Sequence, residues 1–268
     1  MNFVTGASGF LGKGLIEYFN LNKVIYRTIN RGECLEILKG ESFNEHKKYN
    51  PNVFLHLAAL NNDKDKSYEE FYDSNVSLTM ALFKYAQSIS CKKFVFFSTI
   101  NCQKGEKAKD FYTKTKKIAE EKLKEEASRS NIKLFILRLP PVVDQKTKGN
   151  LKFIYNYLKF NLPLFLPNKA KKNKRSLIYV PDIHNLINMI LCDKIKECTY
   201  MITKKNELST NILIKKIKKE ISSKSMIFSV PDLFFYPIRL LFKSSYDSLF
   251  DDQVFEKNEP GEILRIDD

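Results

Sequence analysis

The chain has no tryptophan and only three histidines in 268 residues. So little imidazole argues against a histidine-built metal centre, and no metal is expected. The five cysteines (Cys34, Cys91, Cys102, Cys192 and Cys198) lack the paired spacing of a metal knuckle or a disulfide framework, so they read as reduced thiols of the cytoplasm. No apolar run reaches the roughly 20 residues that a membrane-spanning helix requires, so no integral membrane segment is expected. A strand-like run begins at Asn2, which leaves no room for a signal peptide, and the expected location is cytoplasmic. Acidic residues are few against basic ones, 31 to 45, and the net charge is +14. Only seven of the basic residues are arginine. The excess reads as a lysine bias spread over the surface, because no nucleic-acid-binding module is legible and no nucleic-acid partner is expected. Repeats and low-complexity linkers are also missing, while the 43% apolar fraction is enough for a real core.

Glycine is scarce, yet three of the nine fall between residues 6 and 12, in Asn-Phe-Val-Thr-Gly-Ala-Ser-Gly-Phe-Leu-Gly. A short apolar strand runs into Gly6, Gly9 and Gly12, and Leu15-Ile16-Glu17-Tyr18-Phe19 after them reads as helix. This is the context of a dinucleotide-binding turn. Gly6 permits the sharp turn, Gly9 lets backbone approach a pyrophosphate, and Gly12 lets the helix pack close to the sheet. The helix N-terminus then offers unpaired N–H groups to phosphate.

A second signal is Tyr112-Thr-Lys-Thr-Lys116. Tyrosine and lysine four apart share one helix face. An ammonium beside a phenol favours the phenolate, so Lys116 is expected to lower the Tyr112 pKa. Upstream, Lys93-Phe-Val-Phe-Phe-Ser-Thr99 reads as a buried parallel strand ending in two hydroxyls, at the end where α/β sheets keep their ligands.

Strand-like runs at 2–5, 23–29, 52–57, 93–98 and 133–139 alternate with helical stretches at 12–19, 66–89 and 111–129. The alternation predicts an α/β fold with a Rossmann-type doubly wound parallel sheet. After about residue 145 the order is less regular and prolines punctuate short elements. The expected division is a core domain over 1–145 and a small lobe over 146–268, interleaved with the core. The run from Val230 to Phe242 is apolar enough for a membrane surface, but burial in the small lobe is the expectation.

These segments together resemble the extended short-chain dehydrogenase/reductase superfamily, in its NAD-dependent epimerase/dehydratase branch. The similarity runs in chain order over residues 1–250. Besides the segments above it includes Val53-Phe-Leu-His-Leu-Ala-Ala59, Asn75-Val76 with Thr79, Ile136-Leu-Arg-Leu-Pro-Pro-Val-Val143, Lys148-Gly-Asn150, Asn173 to Asp182 and Leu208-Ser-Thr210. The resemblance implies NAD(P) held by Gly6, Ser8, Gly9, Phe10, Leu11, Gly12, Leu57, Ala58, Ala59, Asn75, Tyr112, Lys116 and Pro140. It implies Tyr112 as acid/base on the C4 oxygen of a nucleotide-linked hexose. Lys116 tunes Tyr112 and holds the nicotinamide ribose, and Thr99 orients the same oxygen. Asn150 and Arg175 become substrate contacts, the latter in a run of five basic residues from Lys169 that suits an anionic nucleotide. The related enzymes carry a similar proline-led apolar helix near 230–242, which supports burial there.

Three departures shape the expectations. Lys23 to Arg31 ends without the acid that holds a ribose 2′-hydroxyl; Arg27 and Arg31 suit a 2′-phosphate, which tips the cofactor toward NADP over NAD, although Glu33 keeps NAD open. The segment between Thr99 and Tyr112 is short, and Cys102-Gln-Lys replaces the family's Val-Tyr-Gly. The chain stops soon after Arg265, without the family's closing helix. The expected function is reduction of the C4 ketone of a nucleotide-linked, UDP-type 6-deoxy-hexose for surface polysaccharide. A UDP-hexose 4-epimerase is the first alternative and a non-catalytic NAD(P)-binding sensor the second. The expected partner is a nucleotide-sugar substrate, and a homodimer remains open.

Overall fold

In a computed structural model of the chain, the described residues are 1–40, 48–61, 65–107, 110–143, 150–204, 208–252 and 262–266. The chain gathers into two units. The first comprises Met1–Leu139, Val180–Ile202 and Glu259–Leu264, and the second Pro140–Tyr179, Thr203–Asn258 and Arg265–Asp268.

The first unit begins with β1 (Asn2–Thr5), α1 (Phe10–Leu21), β2 (Tyr26–Ile29), α2 (Arg31–Leu38) and β3 (Val53–His56). It continues with α3 (Tyr68–Tyr72), a π-helical turn at Asp73–Ser77 and α4 (Leu78–Ser88). Then come β4 (Lys93–Thr99), a 3₁₀ turn at Ile100–Lys107, α5 (Phe111–Ser128) and β5 (Lys133–Leu139). In the second unit follow β6 (Val142–Val143), α6 (Asn150–Lys159), β7 (Leu164–Pro167) and β8 (Ile178–Tyr179). The chain returns to the first unit through α7 (Val180–Leu191) and β9 (Thr199–Lys204). It then adds α8 (Thr210–Glu220), β10 (Ile227–Val230), a 3₁₀ turn at Asp232–Phe235, α9 (Tyr236–Leu241) and α10 (Lys243–Phe250) to the second unit. The last strand, β11 (Glu262–Ile266), lies at a sheet edge.

The seven-stranded sheet has the order β11-β9-β5-β4-β3-β1-β2. Every registered pair from β2 to β9 is parallel, so the Rossmann-type α/β architecture is as expected. β1, β3 and β4 are buried along their whole length, as strands covered on both faces must be. On one face Phe3, Phe54, Phe94 and Phe96 form an aromatic layer against Cys34 and Ile37 of α2, Leu82 and Phe83 of α4, and Ala119 and Leu123 of α5. α1 packs with α7, where Tyr18 stacks on His184 at 4.6 Å and the missing side chain of Gly14 admits Val180.

Three elements differ from expectation. β2 starts at Tyr26, because Lys23 takes a positive φ of 54° and spends the first residues on a turn. α2 was not foreseen; Asn30 caps it by accepting from Glu33 N–H, and Glu33 returns the bond to Asn30 N–H. The helix expected over 66–89 is one helical run, but a π turn interrupts it at residues 73–77.

The second unit packs its own apolar cluster, with Leu158, Leu166, Leu177, Leu213, Ile214, Tyr246 and Phe250 at its centre. β7 pairs with β10 and β6 with β8, each pair parallel. The expected burial of Val230–Phe242 is not what forms. Leu233, Phe234, Tyr236, Leu240, Leu241 and Phe242 are all exposed. The ring positions of the cluster are taken by Tyr246 and Phe250 of α10, with Phe235 the member of the run packed against them.

Candidate active site

The glycine turn leaves β1 at Thr5. Gly6 has a φ of +73°, and a Cβ there would lie 2.5 Å from Ala58 N, so both conformation and space require glycine. Gly9 N–H donates to the Gly6 carbonyl at 3.0 Å and closes the turn. A Cβ on Gly12 would sit 2.1 Å from Gly6 O and 2.7 Å from Ala7 Cα. Gly12 therefore admits the backbone that leaves β1 to close approach by the helix. Gly9 is different: a Cβ there meets only Gly6 O, at 3.2 Å. It caps α1 without a side-chain bond and, with Ser8, is exposed. Phe10 and Leu11 are half-buried behind it, as are Leu57, Ala58 and Ala59 at the end of β3.

A buried polar chain ties these strand ends together. His56 is fully enclosed, with Nδ1 2.8 Å from Thr5 Oγ1 and Nε2 2.9 Å from Thr79 Oγ1. Thr79 donates its hydroxyl proton to Asn75 O at 2.7 Å, so it accepts from His56 Nε2–H, and Nδ1 accepts from Thr5. Burial drives the imidazole pKa down to about 3, with the Lys116 charge adding to it, so His56 is neutral. Asn75 sits in the π turn. Its side chain accepts from Leu60 N–H at 2.8 Å and donates to Leu60 O and to Thr115 Oγ1 at 3.0 and 3.1 Å. These bonds clamp the segment after β3 to α5. Asn75, expected as a cofactor contact, holds both backbone polar groups of Leu60.

At the end of β2, Arg27 donates to Glu33 at 2.9 Å, and Glu33 also closes the α2 capping box. Arg31, at the first position of α2, is exposed.

β4 delivers Ser98 and Thr99 in successive positions. Thr99 Oγ1 accepts from Asn101 N–H at 3.3 Å. Ser98 points to α5 and donates to Glu120 at 2.5 Å. Glu120 also takes a forked ion pair from Arg138 of β5, with contacts of 2.7 and 3.1 Å, and the two side chains are 0% and 1% exposed. Cys102, from the 3₁₀ turn, lies 3.4 Å from Ser98 Oγ; burial foremost, with the Glu120 charge, pushes its thiol up to about 12. Asp110 caps α5 by accepting from Thr113 N–H at 2.7 Å and so fixes the helix that carries Tyr112 and Lys116.

Lys116 is buried with its ammonium 3.9 Å from the centre of the Phe96 ring, a cation–π contact. Desolvation lowers its pKa to about 8, against the raising pull of Cys102 and Glu120. Tyr112 departs from expectation. Burial, then the Cys102 and Asp110 charges, raise its phenol above the usual tyrosine value, and Lys116 is not among the causes. The ammonium is turned to Phe96, so Tyr112 holds its proton in this arrangement.

The sequence model of the NAD dependent epimerase/dehydratase family matches residues 2–201. The chain belongs to this family. Its fold is similar to that of dTDP-4-dehydrorhamnose reductase from Bacillus anthracis in complex with NADP, at 19% identity and a TM-score of 0.67 over 86% of this chain and 84% of the other. It is similar to the Bordetella bronchiseptica enzyme WbmG in complex with NAD and UDP, at 16% identity and a TM-score of 0.65 over 96% and 91%. It is similar again to UDP-N-acetylglucosamine 4-epimerase from Bacillus cereus, at 18% identity and a TM-score of 0.67 over 94% of each. No curated protein sequence matches the chain.

The other expected contacts of this epimerase/dehydratase family member fall in the second unit. Pro140 is buried where the chain leaves β5. Asn150 opens α6, with its side chain outside the described set. Arg175 is buried, donates to Leu249 O at 2.7 Å and bridges Leu208 through its backbone, so the interior of its unit engages it. Lys171 and Lys172 are exposed members of the same basic run. Among the described residues no group of His, Cys, Asp or Glu gathers as metal ligands, and no helix is long and apolar enough to cross a membrane. Sequence reasoning passed over Glu120 and Arg138. The available signal was a third polar residue in the Tyr112, Lys116, Glu120 series on one helix face, and a lone arginine inside the apolar β5 run.

Proposed function

We propose that the chain is an NAD(P)-dependent oxidoreductase that reduces the C4 ketone of a nucleotide-linked 6-deoxy-hexose, of the kind used in surface polysaccharide. The observation that carries the reading is the placement of Tyr112, half-buried, one helical turn before buried Lys116, on the helix packed against the strand that ends in Thr99. A reductase begins with the acid form, because the ketone oxygen must receive a proton. A 4-epimerase begins by removing one. Tyr112 donates its phenolic proton to the C4 oxygen, and Thr99 orients that oxygen through its hydroxyl. Lys116 holds positive charge beneath the site and takes the ribose of the cofactor.

The turn fits a dinucleotide. Gly9 presents bare backbone at the start of α1, and the space a Cβ would fill is free of protein beyond one carbonyl. Gly6, Ser8, Gly9, Phe10, Leu11 and Gly12 would hold the pyrophosphate, and Leu57, Ala58 and Ala59 would flank the adenosine side. When bound, the nicotinamide supplies the hydride. Glu33 is engaged by Arg27 and by its own capping box, which leaves Arg31 to meet a 2′-phosphate and favours NADP. The second unit, residues 140–179 and 203–258, is assigned to the nucleotide sugar, with Lys171 and Lys172 the exposed cations for its diphosphate.

The test is to mix the protein with a UDP-4-keto-6-deoxy-hexose and NADPH and to follow the nicotinamide absorbance. Stoichiometric oxidation is expected, with little nucleotide co-purifying. Arg31→Ala should weaken NADPH about tenfold more than NADH, the worth of one charge-assisted contact. Protein that arrives loaded with NAD and interconverts UDP-hexose C4 epimers without added cofactor would establish the epimerase instead. Nucleotide binding with no turnover of either substrate would favour the sensor.

A further inference from the structure

The buried Glu120–Arg138 pair has no part in the chemistry assigned above. Tyr112, Lys116 and Glu120 recur every four residues and so share one face of α5. On the sheet, Ser98 of β4 and Arg138 of β5 are register partners, and the next pair along is Thr99 with Leu139. Glu120 joins both strands: it accepts from Ser98 Oγ at 2.5 Å and takes the Arg138 guanidinium in a fork, with contacts of 2.7 and 3.1 Å. One carboxylate on the helix thus grips neighbouring strands one residue before Thr99. A further tie lies on the other side of Lys116. Cys102 Sγ, 3.4 Å from Ser98 Oγ, reaches Thr113 O at 3.8 Å. α5 is therefore held at both Thr113 and Glu120, with Lys116 between them.

We propose that Glu120, with Arg138 and Ser98, is the positioning group of the reaction, holding α5 at the height over β4 where Tyr112 and Thr99 meet the same substrate oxygen. It rests on the roles of Tyr112 and Thr99 proposed above. Stability does not explain the cluster, because a buried ion pair is often no better than apolar side chains of the same size. Apolar packing already holds the helix, with Ala119 and Leu123 buried in one core with Phe94 and Phe96. Such packing is non-directional, whereas a forked guanidinium–carboxylate pair fixes distance and angle together. Proton transfer needs that precision, since a misplacement of about 1 Å costs about a hundredfold in rate.

The test is the double substitution Glu120→Met with Arg138→Met in the full chain, which removes one charge of each sign and leaves neither partner buried alone. It should melt no lower than the wild type and bind NADPH with unchanged affinity, read by fluorescence. Its kcat with NADPH and a UDP-4-keto-6-deoxy-hexose should fall about 10–100-fold. Ser98→Ala, which leaves the ion pair in place, should lower kcat less, again at unchanged NADPH affinity, and it decides the matter should the double variant not fold. Wild-type kcat in the folded variants overturns the proposal. So does a loss of kcat that comes only with a loss of NADPH affinity, which makes the cluster structural. Wild-type protein that interconverts UDP-hexose C4 epimers and ignores the keto sugar fails the reductase reading alone. The same variants are then scored on epimerisation, where the C4 oxygen meets the same two side chains. Wild-type protein that turns over neither substrate overturns both.

Discussion

The two units differ in how completely they enclose their large apolar side chains. In the first, phenylalanines line the interior and the buried charges all have company: Lys93 donates to Ile190 O and pairs with Asp193, Lys116 rests on Phe96, and Glu120 is held by Arg138 and Ser98. In the second, a run of leucines and phenylalanines faces outward. A seven-stranded sheet covered on both faces can enclose large rings and still hold polar groups among them. Two pairs of short strands with short helices enclose far less. The larger core of the first unit therefore holds its charges paired inside, and the smaller core of the second leaves apolar side chains outside.

The sharpest way to break the contrast is at Tyr112. Tyr112→Phe keeps the ring and removes the proton; turnover of the keto sugar should fall about 10²–10⁴-fold while NADPH binding, read by fluorescence, stays intact. Full turnover would remove Tyr112 from the reaction. Next comes Glu120→Ala, which leaves Arg138 buried without its carboxylate and should destabilise the fold by about 3–5 kcal/mol in denaturant titration. A cost under about 1 kcal/mol would mean that the ion pair is not what holds β5 to α5.

Lys116→Met acts in the other direction. The folded pKa of Lys116 is about 8, below its ordinary 10.5. Between those values the unfolded chain binds more protons, so wild-type stability rises with pH across that window, and the burden of the buried ammonium is fully present below pH 8. Lys116→Met should therefore stabilise the protein at neutral pH by up to about 3 kcal/mol, with the gain vanishing above about pH 10.5, while activity is lost. A destabilised variant at neutral pH would show that the Phe96 contact outweighs desolvation. The smallest effect belongs to the second unit: Leu233→Ser should change thermal stability by less than about 0.5 kcal/mol, because the side chain is exposed. A larger loss would mean that the run is part of a core after all.

The α/β class, the glycine turn and the Tyr112–Lys116 helix were legible because each is local. Gly6 and Gly12 are fixed by contacts within one βα turn, and strand periodicity needs only neighbours. Other features depended on partners distant in sequence. The ammonium of Lys116 could pair with Tyr112 or settle on Phe96, and only the packing of α5 on β4 chose Phe96. The same packing half-buried Tyr112, and that desolvation pushes its phenol pKa up rather than down. Glu120 met Arg138 across 18 residues of sequence. Asn75 became a clamp because a π turn aimed it at Leu60 and Thr115. Val230–Phe242 carried an apolar signal that fits a core or an exposed face equally well, since hydropathy reports what a side chain prefers and not whether room remains inside. Sequence alone determined the parallel α/β class and five of the sheet's seven strands, its glycine turn and the residue types available for proton transfer, because backbone propensity and periodicity are short-range. Tertiary structure alone decided which charges are buried, which proton Tyr112 keeps and which apolar surface stays outside, because desolvation and packing depend on every element that closes around a group.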